Sequence, residues 1–289
     1  MVVPRGDDAL RRPPTPHVAA VASILSTVVP RPAAAYHEGD ERLVDRTGHT
    51  LRSREARVGV LQIDLGLLGW LMIGTDTAPW AASFLVRVPV ANAHVKVRLL
   101  KTSRVAVSAV AAGYRAAGID VGVNARLRLT DGTALVLPAS LVASTDISRA
   151  LSIHAGATYT TIRATAELAT ATASGRASLS ANVLLLHAAA ELRVTRVVAV
   201  VLSGHAQPYA TPASLQTTMT MADQASLAFS GTLVTADARG VAGGAALALS
   251  GKHVNARIGA TYGRTFLPGV EVMIPLVTLM PDADLYVRF

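Results

Sequence analysis

Basic and polar side chains recur at alternate positions in several segments of the chain. Alternate residues of a β-strand point to the same side, so each series would form part of one polar surface. Positive charges outnumber negative ones on that surface, which could favour anions. The charges could equally pair with one another, as a polar interior requires. The residues with this spacing are His94, Lys96, Arg98, Asp120, Asn124, Arg126, Arg128, His154, Asn255 and Arg257.

Two serine–histidine pairs have the residue types of a hydrolase. Ser152 and His154 lie two positions apart, as do Ser203 and His205. Residues with this spacing are about 7 Å apart along a strand, too far for a good hydrogen bond within a pair. No G-x-S-x-G motif accompanies them. The sequence therefore predicts no catalytic residue and no enzymatic activity.

Cofactor and metal motifs are absent from the sequence. The eight histidines form neither H-x-x-x-H nor H-E-x-x-H, and there is no cysteine. Neither a P-loop nor a G-x-G-x-x-G motif occurs. We expect no cofactor and no metal.

The composition is that of neither an ordinary soluble protein nor a helical membrane protein. Apolar residues make up 51% of the chain and charged residues 16%, against about 25% charged in soluble domains. No apolar run approaches the roughly 20 residues of a membrane helix. The net charge of +8 comes with 4% aromatic residues and no long basic run, so we expect no nucleic-acid partner.

The N-terminus has the pattern of an export signal. Arg5, Arg11 and Arg12 precede a short apolar stretch from Val18 to Val29, and 33–35 are three alanines. We expect a cleavable signal peptide at 1–35. A polar, periplasmic lead-in would follow at 36–54.

Alternation of apolar and polar residues dominates 55–289 and predicts strands of about ten residues. One strand is expected over 119–129, where odd positions are apolar and even ones polar or glycine. Turns are expected at Asp131-Gly132 and at Gly251-Lys252, and a bulge or short strand at Pro138. We predict an all-β fold, an antiparallel transmembrane β-barrel of about 12–14 strands. A soluble exported β-sandwich is the rival fold.

The last residues, from Asp284 to Phe289, resemble the C-terminal signature of bacterial outer-membrane β-barrel proteins, in which an amphipathic strand ends in phenylalanine. The stretch from Leu65 to Gly74 is similar to the first hairpin of such barrels, although Gly69-Trp70 replaces the usual Ser/Asp-type turn. The resemblance implies location in the bacterial outer membrane, contact with its lipid and recognition by the barrel-assembly machinery through Tyr286, Val287 and Phe289. It identifies no subfamily and no oligomeric state.

Aromatic residues at predicted strand ends suit an interfacial belt. The chain has only two Trp, six Tyr and four Phe, fewer than such barrels usually carry. The residues assigned to the belt are Trp70, Trp80, Tyr114, Tyr209 and Phe266.

Three functions are compatible with such a barrel. The first is a porin-like pore or channel that transports small solutes and has an anion-leaning lumen. The second is a closed structural or interaction barrel, plugged by the apolar loop 265–281. The third is an outer-membrane lipid-modifying enzyme.

Overall fold

The structure is a computed structural model, and it describes residues 46–86, 88–124, 127–169, 173–221, 226–233, 240–251, 253–267, 272–274 and 279–289. The predicted signal peptide at 1–35 and residues 36–45 of the predicted lead-in lie outside these ranges. In the described ranges, no helix is long and apolar enough to cross a membrane.

The described residues form strands and one short helix, α1 (Ala78–Val86). The strands are β1 (Ala56–Gly59), β2 (Gln62–Leu68), β3 (Leu71–Asp76), β4 (Val90–Lys101), β5 (Val105–Asn124), β6 (Leu127–Asp146), β7 (Leu151–Ala169), β8 (Ala173–Arg193), β9 (Val198–Ala210), β10 (Ala213–Met221), β11 (Ser226–Leu233), β12 (Gly240–Ser250), β13 (Val254–Gly263), β14 (Thr265–Leu267), β15 (Val272–Ile274) and β16 (Leu279–Arg288).

Twelve antiparallel strands close into a barrel. β1 to β9 follow one another around the ring, and β12, β13 and β16 complete it. The ring closes where β1 pairs with β16, with Arg57 opposite Arg288. β10 and β11 form a hairpin that branches from the first half of β8, so the sheet contains fourteen strands in all. This architecture confirms the predicted barrel of 12–14 strands.

The alternation seen in the sequence separates the two faces of the wall. Leu141, Leu202 and Ile258 point outward and are 54%, 56% and 67% exposed, whereas Ser144 and Asn255 point inward and are 2% and 3% exposed. An apolar outer face and a polar lumen are the arrangement that a membrane-spanning barrel requires, and the opposite of a soluble sandwich.

The two ends of the barrel differ. At one end, which we call the turn end, short turns at 102–104, 147–150 and 194–197 join the strands. β12 ends and β13 begins at this same end. The opposite end, the loop end, carries α1 and the β10–β11 hairpin. β5 to β8 contain 20, 20, 19 and 21 residues, about twice the length needed to cross a membrane. At the turn end these four strands are joined by short turns. Their additional length therefore extends beyond the shorter strands of the barrel at the loop end.

Several local predictions were wrong. The alternation over 119–129 belongs to two strands, because β5 ends at Asn124 and β6 begins at Leu127. Asp131-Gly132 forms a register shift within β6 rather than a turn. Pro138 stays in register opposite Thr160 of β7 without a bulge. On the other side, the pairing of β6 with β5 is interrupted between Ala111 and Tyr114. Pro138, which has no N–H to donate, lies at this interruption.

Candidate functional site: the barrel lumen

A stretch of chain ahead of β1 lies inside the barrel at the turn end. We call residues 46–55 the lumen segment; they include the described part of the predicted periplasmic lead-in. Thr47 and Leu51 are 2% and 1% exposed. The Gly48 N–H donates to Ser144 Oγ at 2.7 Å, and Ser108 Oγ donates to the Gly48 carbonyl at 2.8 Å. β5 and β6 therefore hold this glycine from both sides.

Further contacts fix the rest of the lumen segment. Thr50 Oγ1 donates to the Gly69 carbonyl at 2.9 Å and accepts from Arg98 Nη1 at 3.2 Å. The Arg54 N–H donates to the Gly66 carbonyl at 2.6 Å. Leu51 packs on Met72 of β3, and both side chains are buried. The turn end of the lumen is thus occupied by the chain itself.

Charged groups of the wall form a buried network centred on Arg57. Its Nη2 atom lies 2.7 Å from Asp284 Oδ2 and its Nη1 atom 3.4 Å from Asp64 Oδ2. The guanidinium also lies 4.2 Å from the centre of the Tyr286 ring, a cation–π distance. Three strands are tied together by this one side chain.

The network continues across β3 and β4. His94 Nε2 lies 2.7 Å from Asp64 Oδ1, and His94 Nδ1 lies 3.9 Å from Asp76 Oδ1. The Tyr114 hydroxyl donates to Asp76 Oδ2. Tyr114 is only 5% exposed and lies inside the lumen, not in the aromatic belt to which the sequence assigned it. Its even position on β5 places it on the same inward face as Ser108, a signal that strand parity already contained.

A second group of polar side chains spans β6, β7 and β8. Ser144 Oγ lies 2.7 Å from His154 Nδ1, and His154 Nε2 lies 3.5 Å from Glu191 Oε2. Arg193 Nε donates to Glu191 Oε1 at 3.1 Å. Ser152 Oγ donates to Asp146 Oδ1 at 2.5 Å and accepts from Arg193 Nη2 at 2.7 Å, so its described partners do not include His154.

Ser144, His154 and Glu191 have the order of a nucleophile, a base and an acid. Strand pairing brings them together, which is why spacing within a single strand could not reveal them. Ser144 Oγ already accepts the Gly48 N–H, and its residue is 2% exposed. In this arrangement the serine is buried and anchors the lumen segment.

A cavity of about 150 Å³ remains beside the lumen segment. Arg46 and the three imidazoles of His154, His187 and His205 line it. His187 and His205 face each other on neighbouring strands. Arg257 and Asp282 lie on the opposite wall and pair at 2.9 Å.

The predicted lumen residues fall into three groups. His94, Lys96, Arg98, His154, Asn255 and Arg257 lie on the inward positions of their strands, and His94, His154 and Arg257 pair with carboxylates. Asp120 is exposed near the loop-end tip of β5, where its Oδ1 accepts the Asp131 N–H at 3.1 Å. Arg126 and the side chains of Asn124 and Arg128 lie outside the described part of the chain.

The other residues singled out by the sequence take these places. Trp70 lies at the turn end, whereas Trp80 and Tyr209 lie toward the loop end; all three are exposed, at 50%, 41% and 48%. Phe266 lies in β14, and its side chain is outside the described part. Val287 and Phe289 point outward, but Tyr286 points into the lumen beneath Arg57.

No group of side chains with the geometry of a metal site occurs in the described ranges. No protein-family profile matches the sequence, and a search of curated proteins gives no match.

Solved structures with a similar chain path are outer-membrane β-barrel proteins. They include the ferric yersiniabactin uptake receptor FyuA from Yersinia pestis (10% identity, TM-score 0.42, 80% of this chain and 40% of that one). A second is CdiB from Escherichia coli (11% identity, TM-score 0.31, 81% of this chain and 62% of that one). A third is the CymD monoaromatic hydrocarbon channel (8% identity, TM-score 0.35, 81% of this chain and 85% of that one). The chain therefore spans less than two thirds of the length of the first two.

Proposed function

We propose that this protein is a channel of the bacterial outer membrane that admits small solutes through an anion-leaning lumen. The observation that carries the proposal is a closed ring of twelve strands, apolar outside and polar inside, that still encloses a cavity beside the lumen segment. Twelve strands are more than the eight whose side chains fill a barrel and fewer than the 16–18 of open porins.

The membrane assignment rests on the outer face. A closed barrel leaves no backbone hydrogen-bonding group facing lipid, so it is one of the two structures that can span a bilayer. Large apolar side chains such as Leu141 and Ile258 would then contact lipid. Phe289, exposed at the end of the closing strand, would be the residue that the barrel-assembly machinery recognises.

The anion preference rests on three cations on the lumen side of the barrel, Arg46, Lys96 and Arg98. Arg98 donates to the Thr50 hydroxyl. Lys96, the neighbouring inward-facing residue of β4, is 3% exposed. Arg46 lines the cavity. The carboxylates Asp64, Asp284 and Asp282 are engaged by Arg57 and Arg257, which lowers their attraction for cations.

Planar bilayers test both parts of the proposal. The refolded protein should give discrete conductance steps, and a KCl gradient should give a reversal potential of the sign for anion preference. The double variant K96Q/R98Q should move that potential toward zero, whereas R115Q, on the outward face of β5, should not. Absence of steps would reject the channel, and an unchanged potential in K96Q/R98Q would reject the role of these cations.

A closed barrel is the second candidate, and the lumen segment favours it. The contacts of Gly48 and Thr50 obstruct the turn end, a role that the sequence analysis gave to 265–281. The described residues of that loop form the β14–β15 hairpin and the start of β16. A silent wild-type protein that conducts after release of the lumen segment would favour this candidate.

A further inference from the structure

We propose that the turn end of the barrel is a docking surface for the headgroups of anionic phospholipids in the leaflet that this end faces. The side chains that would hold the headgroups are Arg104, Arg149 and Arg196, which we call the basic turn surface. This inference goes beyond the proposed channel function and shares with it only the assignment of the barrel to a membrane.

The basic turn surface is distributed over the three short turns. Arg104 lies in the turn at 102–104, Arg149 in that at 147–150 and Arg196 in that at 194–197, and all three residues are exposed. Their guanidinium groups form no salt bridge within the described part of the chain. Successive turns lie two strands apart, which is roughly 10 Å around the barrel. Each guanidinium can therefore meet a separate headgroup.

The acidic side chains at the same end contribute little to the exposed surface. Glu191 and Asp146 lie 3.1 Å and 3.9 Å from the guanidinium of Arg193, and Glu55 lies 3.5 Å from that of Arg288. The three acidic side chains are 2%, 15% and 16% exposed. The other exposed charged residues of the described turn end are all basic: Arg52, Arg54 and Lys101.

The loop end has charges of both signs. Asp120, Asp131 and Glu167 are exposed there, and so are Arg115 and Arg176. Glu167 is directly opposite Arg176 in the register of β7 and β8. The excess of exposed positive charge is therefore a property of the turn end and not of the whole surface.

Exposed apolar side chains beside the arginines favour a lipid over a soluble acidic partner. Ile147 shares a turn with Arg149 and is 55% exposed, and Val197 follows Arg196 and is 46% exposed. Trp70 is 50% exposed at the same end, and tryptophan is enriched where a membrane meets water. An arginine at this boundary can bind phosphate oxygens through its planar donors while its apolar neighbours contact acyl chains.

Electron spin resonance of spin-labelled lipids tests the surface. The folded protein is reconstituted into phosphatidylcholine vesicles with a trace of spin-labelled phosphatidylglycerol or spin-labelled phosphatidylcholine. The immobilised fraction of each label gives the relative affinity of the two lipids for the barrel. We expect phosphatidylglycerol to bind about threefold more strongly, because basic residues near a membrane surface attract anionic lipids.

The variant R104Q/R149Q/R196Q should lower this affinity ratio to about one. The matched control is R115Q/R163Q/R176Q, which removes the same charge from exposed positions toward the loop end and should keep the wild-type ratio. Retention of the folded gel mobility by both variants excludes misfolding.

Equal affinity of the wild-type protein for the two lipids, an unchanged ratio in the turn-end variant, or an equal loss in both variants would overturn the proposal. A ratio that inorganic phosphate lowers to one, at constant ionic strength, would also overturn it, because the arginines would then bind free phosphate. A protein that prefers phosphatidylglycerol but gives no conductance would retain the docking surface and lose the channel. A conducting protein without this preference would do the reverse.

Discussion

The Nε2 atom of His94 lies 2.7 Å from the Oδ1 atom of Asp64, although strand β3 separates the strands that carry them. Asp64, Gly74 and His94 occupy one row across β2, β3 and β4. The two side chains can meet because the middle residue is glycine. A Cβ atom at position 74 would clash with Asp64 Oδ1 and lie 2.5 Å from His94 Nε2.

Gly74→Ala should therefore destabilise the barrel by about 1–3 kcal/mol, the usual range for overpacking a filled interior. Urea unfolding in detergent, followed by tryptophan fluorescence, measures the change. Gly204→Ala is the control, because no atom lies within 4 Å of its added Cβ. Equal stability of the two variants would mean that the row over position 74 is loosely packed.

Arg57→Ala should cost about 3–5 kcal/mol, because it leaves the buried carboxylates of Asp64 and Asp284 without their shared cation. Arg257→Ala should cost less, about 1 kcal/mol, since the side chains of Arg257 and Asp282 are 19% and 31% exposed and solvent screens a partly exposed pair more than a buried one. The same unfolding measurement compares them. Similar losses in both variants would contradict the central role of Arg57.

Release of the lumen segment should change conductance without unfolding the barrel. Ser108→Ala and Ser144→Ala together remove both hydrogen bonds to Gly48. We expect larger conductance steps and faster tryptic cleavage after Arg52 and Arg54. Ser140→Ala is the control, since its hydroxyl bonds to Thr158 of the wall. Unaltered steps and cleavage in the double variant would show that other contacts hold the segment.

A charge on the lipid face should be costly at mid-membrane and tolerated beyond the rim. Leu141 lies six residues from the turn after β6 and is 54% exposed. Leu141→Arg should destabilise the protein in bilayers by about 2–4 kcal/mol. Leu227→Arg, on the β10–β11 hairpin that branches from the ring, should cost about 1 kcal/mol or less. A larger loss of stability in Leu227→Arg than in Leu141→Arg would contradict the assignment of Leu141 to the membrane-spanning part of the barrel.

The wild-type protein should not react with a fluorophosphonate, which labels activated serines. Ser144 meets His154 but is buried beneath Gly48, so the reagent should not reach it. Mass spectrometry of the reagent-treated protein measures the modification, with Ser144→Ala as the control. Labelling that disappears in Ser144→Ala would favour an enzyme over a channel.

The amino-acid sequence determined which side of each strand faces inward, because period-two alternation is a property of consecutive residues and can be recognised without knowing which strands pair. It therefore placed His94, Lys96 and His154 on one face and predicted a barrel of 12–14 strands. Alternation also continues from the end of β5 into the start of β6, so it could not distinguish one strand over 119–129 from the ends of these two strands.

Only the tertiary structure decided which inward residues meet. Arg57 and Asp284 are 227 positions apart, and their contact depends on ring closure. The contact of His94 with Asp64 depends on the register of three strands, and that of Ser144 with His154 on the register of two. The lumen segment has no alternation that would predict its place; its polar groups lie inside because Ser108, Ser144 and Gly69 offer them hydrogen bonds there. Pairing over such sequence distances is set by register and closure, which no local pattern encodes.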